Sequence, residues 1–392
     1  MSEPFDDLCP RPVRPRESTT QPLAQPLWLA SVWRCEDTEQ ADRLLGGGSG
    51  GYVYQRDSHP NADALAERCR DLHAAEQAVV TASGMSALAV AILSQLQEGD
   101  HIVYSNQLYG RSAHLLGTEV RRFGIRGTAV DTSDLDAVAA AIARQTRWVL
   151  VETIANPRLR VADIGALAAM AHERGAHLVV DNTFATPVLC QPLRLGADLV
   201  LESLTKMMNG HSDVVLGVLC GHRSLWDRVP ATLATWGLAS SPLDCWLAHR
   251  GLATLSLRAQ RAMQTALEVA QYLEQQSTVE RVDYPGLTSH VDHELAQRQF
   301  GDRYGAIVTI HLRGGRVTAD AFIRAAPEIP FAPSLGEVST TLSHPASTSH
   351  RGLTVEQRAA LGIGEGTLRL SIGIESAEYV ITALERGLAA CN

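Results

Sequence analysis

The sequence predicts an α/β fold: a mainly parallel sheet wrapped by helices, followed by a smaller α+β part. Two observations carry this expectation. From about residue 64 short apolar runs alternate with helical stretches, at a spacing that suits parallel strands joined by helical crossovers. After about residue 242 the alternation gives way to a long helical pattern followed by isolated strands. In sheets of the first kind ligands bind beyond the carboxyl ends of the strands.

The elements follow in order. Residues 1–27 carry six prolines and few apolar clusters, which reads as an extended arm. Gly46 to Gly51 forms a flexible loop, and no Gly-Lys-Ser/Thr follows to make it a P-loop. Strands are predicted at Ala78–Thr81, His101–Tyr104, Gly127–Val130, Trp148–Val151, His177–Asp181 and Asp198–Leu201. Helices are predicted from Ser83 to about Gln97, near 110–123, and over Asp134–Arg144 and Ile164–Arg174. A long helical pattern runs from Leu243 to Glu274 with a break near Gly251. Strands at Ala306–Leu312 and Thr367–Ile374, and helices at Thr318–Ala325 and Glu378–Ala390, complete the chain. The expected division is an arm over 1–57, a large domain over 58–245 and a small domain over 246–392.

Composition narrows the function. The 392 residues are 45% hydrophobic and 20% charged, with a net charge of −9 and no basic block. That argues against nucleic acid or an anionic membrane as the main partner. No apolar run approaches the roughly 20 residues that span a bilayer. The N-terminus has no hydrophobic stretch of an export signal. The seven cysteines are widely spaced, with no Cys-x-x-Cys pair, which fits reduced thiols in the cytoplasm.

The chemistry gathers at predicted strand ends. Ser203-Leu204-Thr205-Lys206 follows an apolar run, and no acidic residue follows Lys206 before Asp213. A lysine in an uncharged pocket resists protonation and serves as an amine nucleophile. Ser203 and Thr205 can donate to an anion beside it. An aldehyde cofactor bearing a phosphate, pyridoxal phosphate, suits that combination. Alone, the same four residues also fit a surface lysine after a strand. Asp181 ends a nearly continuous apolar strand, where a carboxylate needs a partner. It either caps a turn or keeps a pyridine nitrogen protonated. Ser83-Gly84-Met85 opens a helix whose free N–H groups attract phosphate, or is a simple turn. The Tyr109 ring either stacks on a cofactor or packs locally. Asn156, before Pro157, is a turn former or a hydrogen-bond partner of a cofactor oxygen. Arg369, inside a strand pattern, has a fork that suits an α-carboxylate or an internal salt bridge. Tyr54 and Arg56, after the glycine run, can reach a partner subunit. His290 and His293 lack further ligands of metal spacing, so a solvent-facing helix start is expected there and no metal site. No Gly-x-Gly-x-x-Gly follows a strand, which disfavours a nicotinamide dehydrogenase.

Taken together, these strings resemble the Cys/Met-metabolism pyridoxal-phosphate enzymes. The match runs through Tyr54-x-Arg56, Ser83-Gly84-Met85-Ser86-Ala87, Tyr109-Gly110 and Glu152-Thr153-x-x-Asn156-Pro157. It continues with Val180-Asp181-Asn182-Thr183-Phe184, Ser203-x-Thr205-Lys206 and Asn209-Gly210-His211-Ser212-Asp213-Val214. Ser334-Leu335-Gly336, His344-Pro345-Ala346 and Arg369-Leu370-Ser371-x-Gly373-x-Glu375 close it. The order is the family's, from about residue 50 to the end.

The resemblance implies an aspartate-aminotransferase-like fold of type I with a seven-stranded sheet. It implies that Lys206 holds pyridoxal phosphate as an imine, that Asp181 pairs with the pyridine nitrogen and that Tyr109 stacks on the ring. Gly84, Met85, Ser203 and Thr205 would bind the phosphate, and Asn156 the phenolic oxygen. Tyr54 and Arg56 would complete that phosphate site from a neighbouring subunit, which implies an obligate homodimer, usually assembled as a tetramer. Arg369 and Ser334, with Tyr54, would bind the substrate. The implied activity is a carbon–sulfur lyase acting on cystathionine, cysteine, homocysteine or methionine. The alternative is γ-replacement, as in cystathionine γ-synthase or an O-acylhomoserine sulfhydrylase. Arg111, His114, Pro333, Glu337 and the run His59-Pro60-Asn61 depart from the family pattern, at positions expected to face the distal end of the substrate.

Overall fold

The computed structural model describes residues 19–391. The first part of the expected arm, with Cys9, lies outside the described residues. Seven strands, β1 (Gln77–Thr81), β2 (His101–Ser105), β3 (Arg126–Val130), β4 (Thr146–Glu152), β5 (His177–Asp181), β6 (Leu199–Glu202) and β7 (Gly217–Gly221), form the larger sheet. Their spatial order is β1-β7-β6-β5-β4-β2-β3. The strands from β6 through β5, β4 and β2 to β3 pair in parallel. β7 runs antiparallel to both β6 and β1. The expected mainly parallel seven-stranded sheet is therefore present.

Burial explains why these segments read so clearly. β2, β6 and β7 are buried along their whole length, and β4 is buried except at Arg147. Strands covered on both faces need near-continuous apolar runs. Alternate side chains then serve opposite layers. Val149 and Val151 pack into one core with Leu65 and Leu167 from the helices Pro60–His73 and Ile164–Glu173. Trp148 and Leu150 pack into the other, with Leu88 and Ile92 from the helix Gly84–Gln95.

A second, antiparallel sheet holds β8 (Val279–Asp283), β9 (Ile307–Leu312), β10 (Thr341–Ser343) and β11 (Thr367–Ser371), in the order β10-β11-β9-β8. The helix Leu255–Glu274 buries Ala259, Ala266, Val269 and Leu273 in the core that this sheet shares with the larger one. The break expected near Gly251 falls between Leu252 and Leu255.

One buried pair sits directly behind the site. His73 Nε2 and Glu202 Oε2 lie 3.1 Å apart with both side chains sealed from solvent. Burial raises the Glu202 pKa, and His73 pulls it back. Removing one member of such a pair strands the other. His73→Ala is therefore expected to cost about 3–5 kcal/mol of unfolding free energy. The double replacement H73L/E202L is expected to recover most of it, which denaturant titration of the three proteins checks.

Candidate active site

The carboxyl ends of β4, β5 and β6 and the start of the helix Gly84–Gln95 open onto one cavity of about 270 Å³. Gly84, Met85, Tyr109, Asn156, Asp181, Ser203, Thr205, Lys206, Ser334 and Arg369 all line it. Ten of the twelve expected site residues are thus brought together by the single chain. The other two, Tyr54 and Arg56, lie outside the lining. The Arg56 guanidinium sits 5.1 Å over the half-exposed Tyr54 ring.

Local bonding fixes the wall. Ser83 caps the helix start, its Oγ accepting from Ser86 N at 3.0 Å. The amides of Gly84 and Met85 are left without intrahelical acceptors. A Cβ on Gly84 would stand 3.0 Å from Ser203 Cβ, so the absence of a side chain is what lets the helix start approach Ser203. Thr183 joins the floor: its N–H donates to Asp181 Oδ1 at 3.0 Å, and its Oγ1 accepts from Ser203 N at 2.9 Å.

The charged groups are unusual in their company. Lys206 Nζ donates to Ser334 Oγ at 2.9 Å. Burial, and then the charge of Arg369, hold the lysine pKa below its ordinary value. Arg369, only 5% exposed, donates to Asn156 Oδ1 at 2.8 Å and to the Ser334 carbonyl at 3.0 Å. Its Nε is buried without a partner. Burial pulls its pKa down to about 10. Among the described residues no carboxylate lies within ion-pair distance of Lys206 or Arg369. The parallel register sets Glu152 beside Asp181. Burial, reinforced by Asp181, pushes Glu152 up to about 8, and burial raises Asp181 as well. Glu152 Oε1 accepts from Tyr109 N at 2.5 Å, anchoring the loop that presents the tyrosine ring.

Several expectations change. Of the departing positions, Pro333 alone lines the cavity among the described residues. His114 stands 3.7 Å from Glu119 on an exposed face, and Arg111 is exposed. Glu337 accepts from Ser212 outside the lining. His59 is buried and caps the helix Pro60–His73, accepting from Ala62 N at 3.1 Å. His59 and Asn61 serve the fold here: both are buried, and Asn61 Oδ1 accepts from Trp28 N at 2.9 Å. His290 does not face solvent: Arg158 O and Asp292 N hold its ring inside. Glu152 and Thr183 line the cavity and were not among the expected site residues. Glu152 and Thr183 stand in the matched strings, but their bonds to Tyr109 N and Ser203 N appear only in the folded chain.

His350, buried near Arg369 outside the cavity lining, gives the fold a pH dependence. Burial, then the charge of Arg369, push its pKa down to about 4. Between that value and the ordinary 6.5 of the unfolded chain, the unfolded state binds the extra proton. Stability is expected to fall as pH drops through that window, by up to about 3 kcal/mol from this group. Unfolding of His350→Gln, measured between those pH values, should show a shallower slope.

Pyridoxal phosphate can be tested against these residues. A carboxylate lining the cavity with no cation within ion-pair distance among the described residues, a cradle that a Cβ would fill and a depressed lysine are what its pyridine nitrogen, phosphate and aldehyde require. The chain supplies one lysine in all, Lys206. The residues fit.

The comparisons agree. The family model for Cys/Met metabolism PLP-dependent enzymes matches residues 12–389. The chain belongs to this family. A Cys/Met-metabolism relative, the L-methionine gamma-lyase of Fusobacterium nucleatum subsp. polymorphum, is 39% identical over 93% of each chain. The O-succinylhomoserine sulfhydrylase of Pseudomonas aeruginosa is 39% identical over 98% of this chain and 95% of its own. A Campylobacter jejuni chain assigned as an O-acetylhomoserine (thiol)-lyase superposes with a TM-score of 0.91 at 27% identity, covering 95% of this chain and 97% of that one. That structure carries N'-pyridoxyl-lysine-5'-monophosphate. The chain is thus a pyridoxal-phosphate enzyme of sulfur amino-acid metabolism with the type I fold. No helix among the described residues is long and apolar enough to cross a membrane.

Proposed function

We propose that the chain is a carbon–sulfur lyase that releases a thiol, ammonia and a keto acid from an amino acid with one carboxylate. One observation carries the choice of substrate: among the described residues the cavity lining contains one guanidinium, Arg369, while Arg56 of a neighbouring subunit is assigned to the phosphate. Its unpaired Nε and its fork suit one α-carboxylate. Val215, Pro333 and Leu335 are among the apolar residues that line the cavity, which suits an uncharged thioether or thiol. Methionine, homocysteine and cysteine meet these demands better than cystathionine or a succinylated homoserine.

Lys206 would be the attachment amine and, with its Nζ free, the base that takes the α-proton. Arg369 and Ser334 orient the carboxylate so that this proton faces Nζ. Asp181 would hold a proton at the pyridine nitrogen, and Gly84, Met85, Ser203 and Thr205 would hold the phosphate. Tyr109 covers the ring. Asn156, with its Oδ1 occupied by Arg369, would have its amide N–H free for the phenolic oxygen. Bound there, pyridoxal phosphate supplies an electron sink for the substrate carbanion.

Tyr54 and Arg56 act from a neighbouring subunit in this reading, in a homodimer assembled further into a tetramer. The exposure of Leu23, Leu29 and Val32 on the described part of the arm supports it. The arm over 1–57, the cofactor-binding domain over 58–245 and the small domain over 246–392 are the corresponding units, and the cytoplasm is the proposed location.

A second reading, γ-replacement, is favoured by the sulfhydrylase relative that matches 98% of the chain. Incubating the holoenzyme with each sulfur amino acid alone separates the two. The lyase reading expects 2-oxobutanoate with methanethiol or sulfide, or pyruvate with sulfide, and needs no acceptor. Turnover only when a thiol and an activated homoserine are supplied together would overturn it in favour of replacement.

A further inference from the structure

Arg258, in the helix Leu255–Glu274, is only 7% exposed, and among the described residues no carboxylate lies within ion-pair distance of it. A buried cation of this kind is costly unless its donors are satisfied. Its donors go to neutral oxygens. Nη1 reaches Met207 O at 2.7 Å, and Nη2 reaches Met208 O at 3.0 Å and Gly251 O at 2.9 Å. Nε reaches Thr254 Oγ1 at 3.0 Å. Met207 and Met208 directly follow Lys206.

The turn they belong to is closed by Lys206 N donating to Ser203 O at 3.2 Å and by Gly210 N donating to Lys206 O at 2.8 Å. Its opposite side is pressed by the loop that carries Ser334. A Cβ on Gly336 would stand 2.3 Å from Met207 N. That loop is itself held by Gly336 N donating to Ser371 Oγ at 2.8 Å and Val338 N donating to Gly210 O at 2.9 Å. Gly210 has φ +79°, and a Cβ there would stand 2.2 Å from Arg258 Nη1. The guanidinium therefore rests directly on the turn, with no space for a side chain between them.

We propose that Arg258 is a positioning residue for Lys206: by binding the Met207 and Met208 carbonyls and tying them to Gly251 and Thr254, it sets the direction in which the lysine enters the cavity. This rests on the reading of Lys206 as the attachment amine. Rotation of the lysine turn would break two charge-assisted hydrogen bonds at once. Such support from behind is what holds a reacting group within a fraction of an ångström of its working geometry.

The test uses the holoenzyme with Arg258→Gln and Arg258→Met, neither of which adds a second lysine. Two properties of the lysine-bound cofactor are read: the pH midpoint of its visible band, and its rate of loss on dialysis against buffer. The midpoint is expected to move by about one pH unit. Cofactor loss is expected to quicken about tenfold, and kcat to fall about 10²-fold with a smaller change in KM. A milder variant, Thr254→Val, keeps the guanidinium and removes one acceptor, and should move the midpoint the same way by less. A purely structural role would lower the thermal midpoint and leave the band's pH midpoint in place. That result in any folded Arg258 variant overturns the proposal. Lys206→Ala run alongside separates the two claims. If it keeps the lysine-linked band, the reading of Lys206 falls. If it loses the band while the Arg258 variants behave as wild type, only the role of Arg258 falls.

Discussion

Replacing Lys206 by alanine is expected to abolish the visible band of the lysine-bound cofactor and to lower kcat by roughly 10³–10⁴-fold. Two functions disappear together, the covalent anchor and the base. The chain has no second lysine to substitute for either. The cavity should still admit the cofactor, because Asp181, Ser203, Thr205 and the helix start at Gly84 are untouched. Absorbance and single-turnover kinetics of the reconstituted variant check both parts. A small added amine is expected to restore part of the proton transfer and none of the lysine linkage.

Arg369→Leu is the second large effect. The guanidinium is buried and already aligned by Asn156 Oδ1 and the Ser334 carbonyl, so little of its binding free energy is spent on ordering it. Leaving a substrate carboxylate unpaired in that setting costs about 3–5 kcal/mol. The loss in kcat/KM is then roughly 10²–10⁴-fold. Arg369→Lys is expected to recover little, because a single ammonium cannot reproduce the fork. An amine analogue that lacks the carboxylate provides the control. Wild type should discriminate strongly against it, and Arg369→Leu should accept both compounds about equally. The variant also removes a charge that lowers the Lys206 pKa, so the apo lysine should titrate higher.

The fold was legible where burial forces a plain pattern. The strands β2, β4, β5 and β6 are apolar nearly throughout, and their predicted limits fall within two residues of the observed ones. β7 was missed because its five residues, Gly217 to Gly221, begin and end with glycine and contain one cysteine. β8 was missed because Val279-Glu280-Arg281-Val282-Asp283 mixes charge with valine in a short span. β10 is three residues long and owes its state to β11 alongside it.

The site divides in the same way. Asp181, Ser203, Lys206 and Gly84 sit at strand ends or a helix start, where position alone suggests chemistry. The count of lysines would have strengthened the case for Lys206 from the sequence. Glu152 owes its raised pKa to burial and to Asp181, a neighbour across the sheet that spacing along the chain does not disclose. Arg258 reads as one more polar residue on a long helix, and its meaning comes only from carbonyls about fifty residues away in the chain. Ser334 had to be inferred from resemblance, and the strand pattern around Arg369 left an internal salt bridge open, since the loop and the strand that carry them meet Lys206 only in the folded chain.

Borohydride reduction of the reconstituted enzyme, followed by peptide mass analysis, tests the central claim most directly. The chain offers one lysine and its N-terminus as amines, so the result is unambiguous. A pyridoxyl phosphate adduct on the peptide that contains Lys206 is the predicted result. A reduced protein with that peptide unmodified, or labelled only at its N-terminal amine, would contradict it.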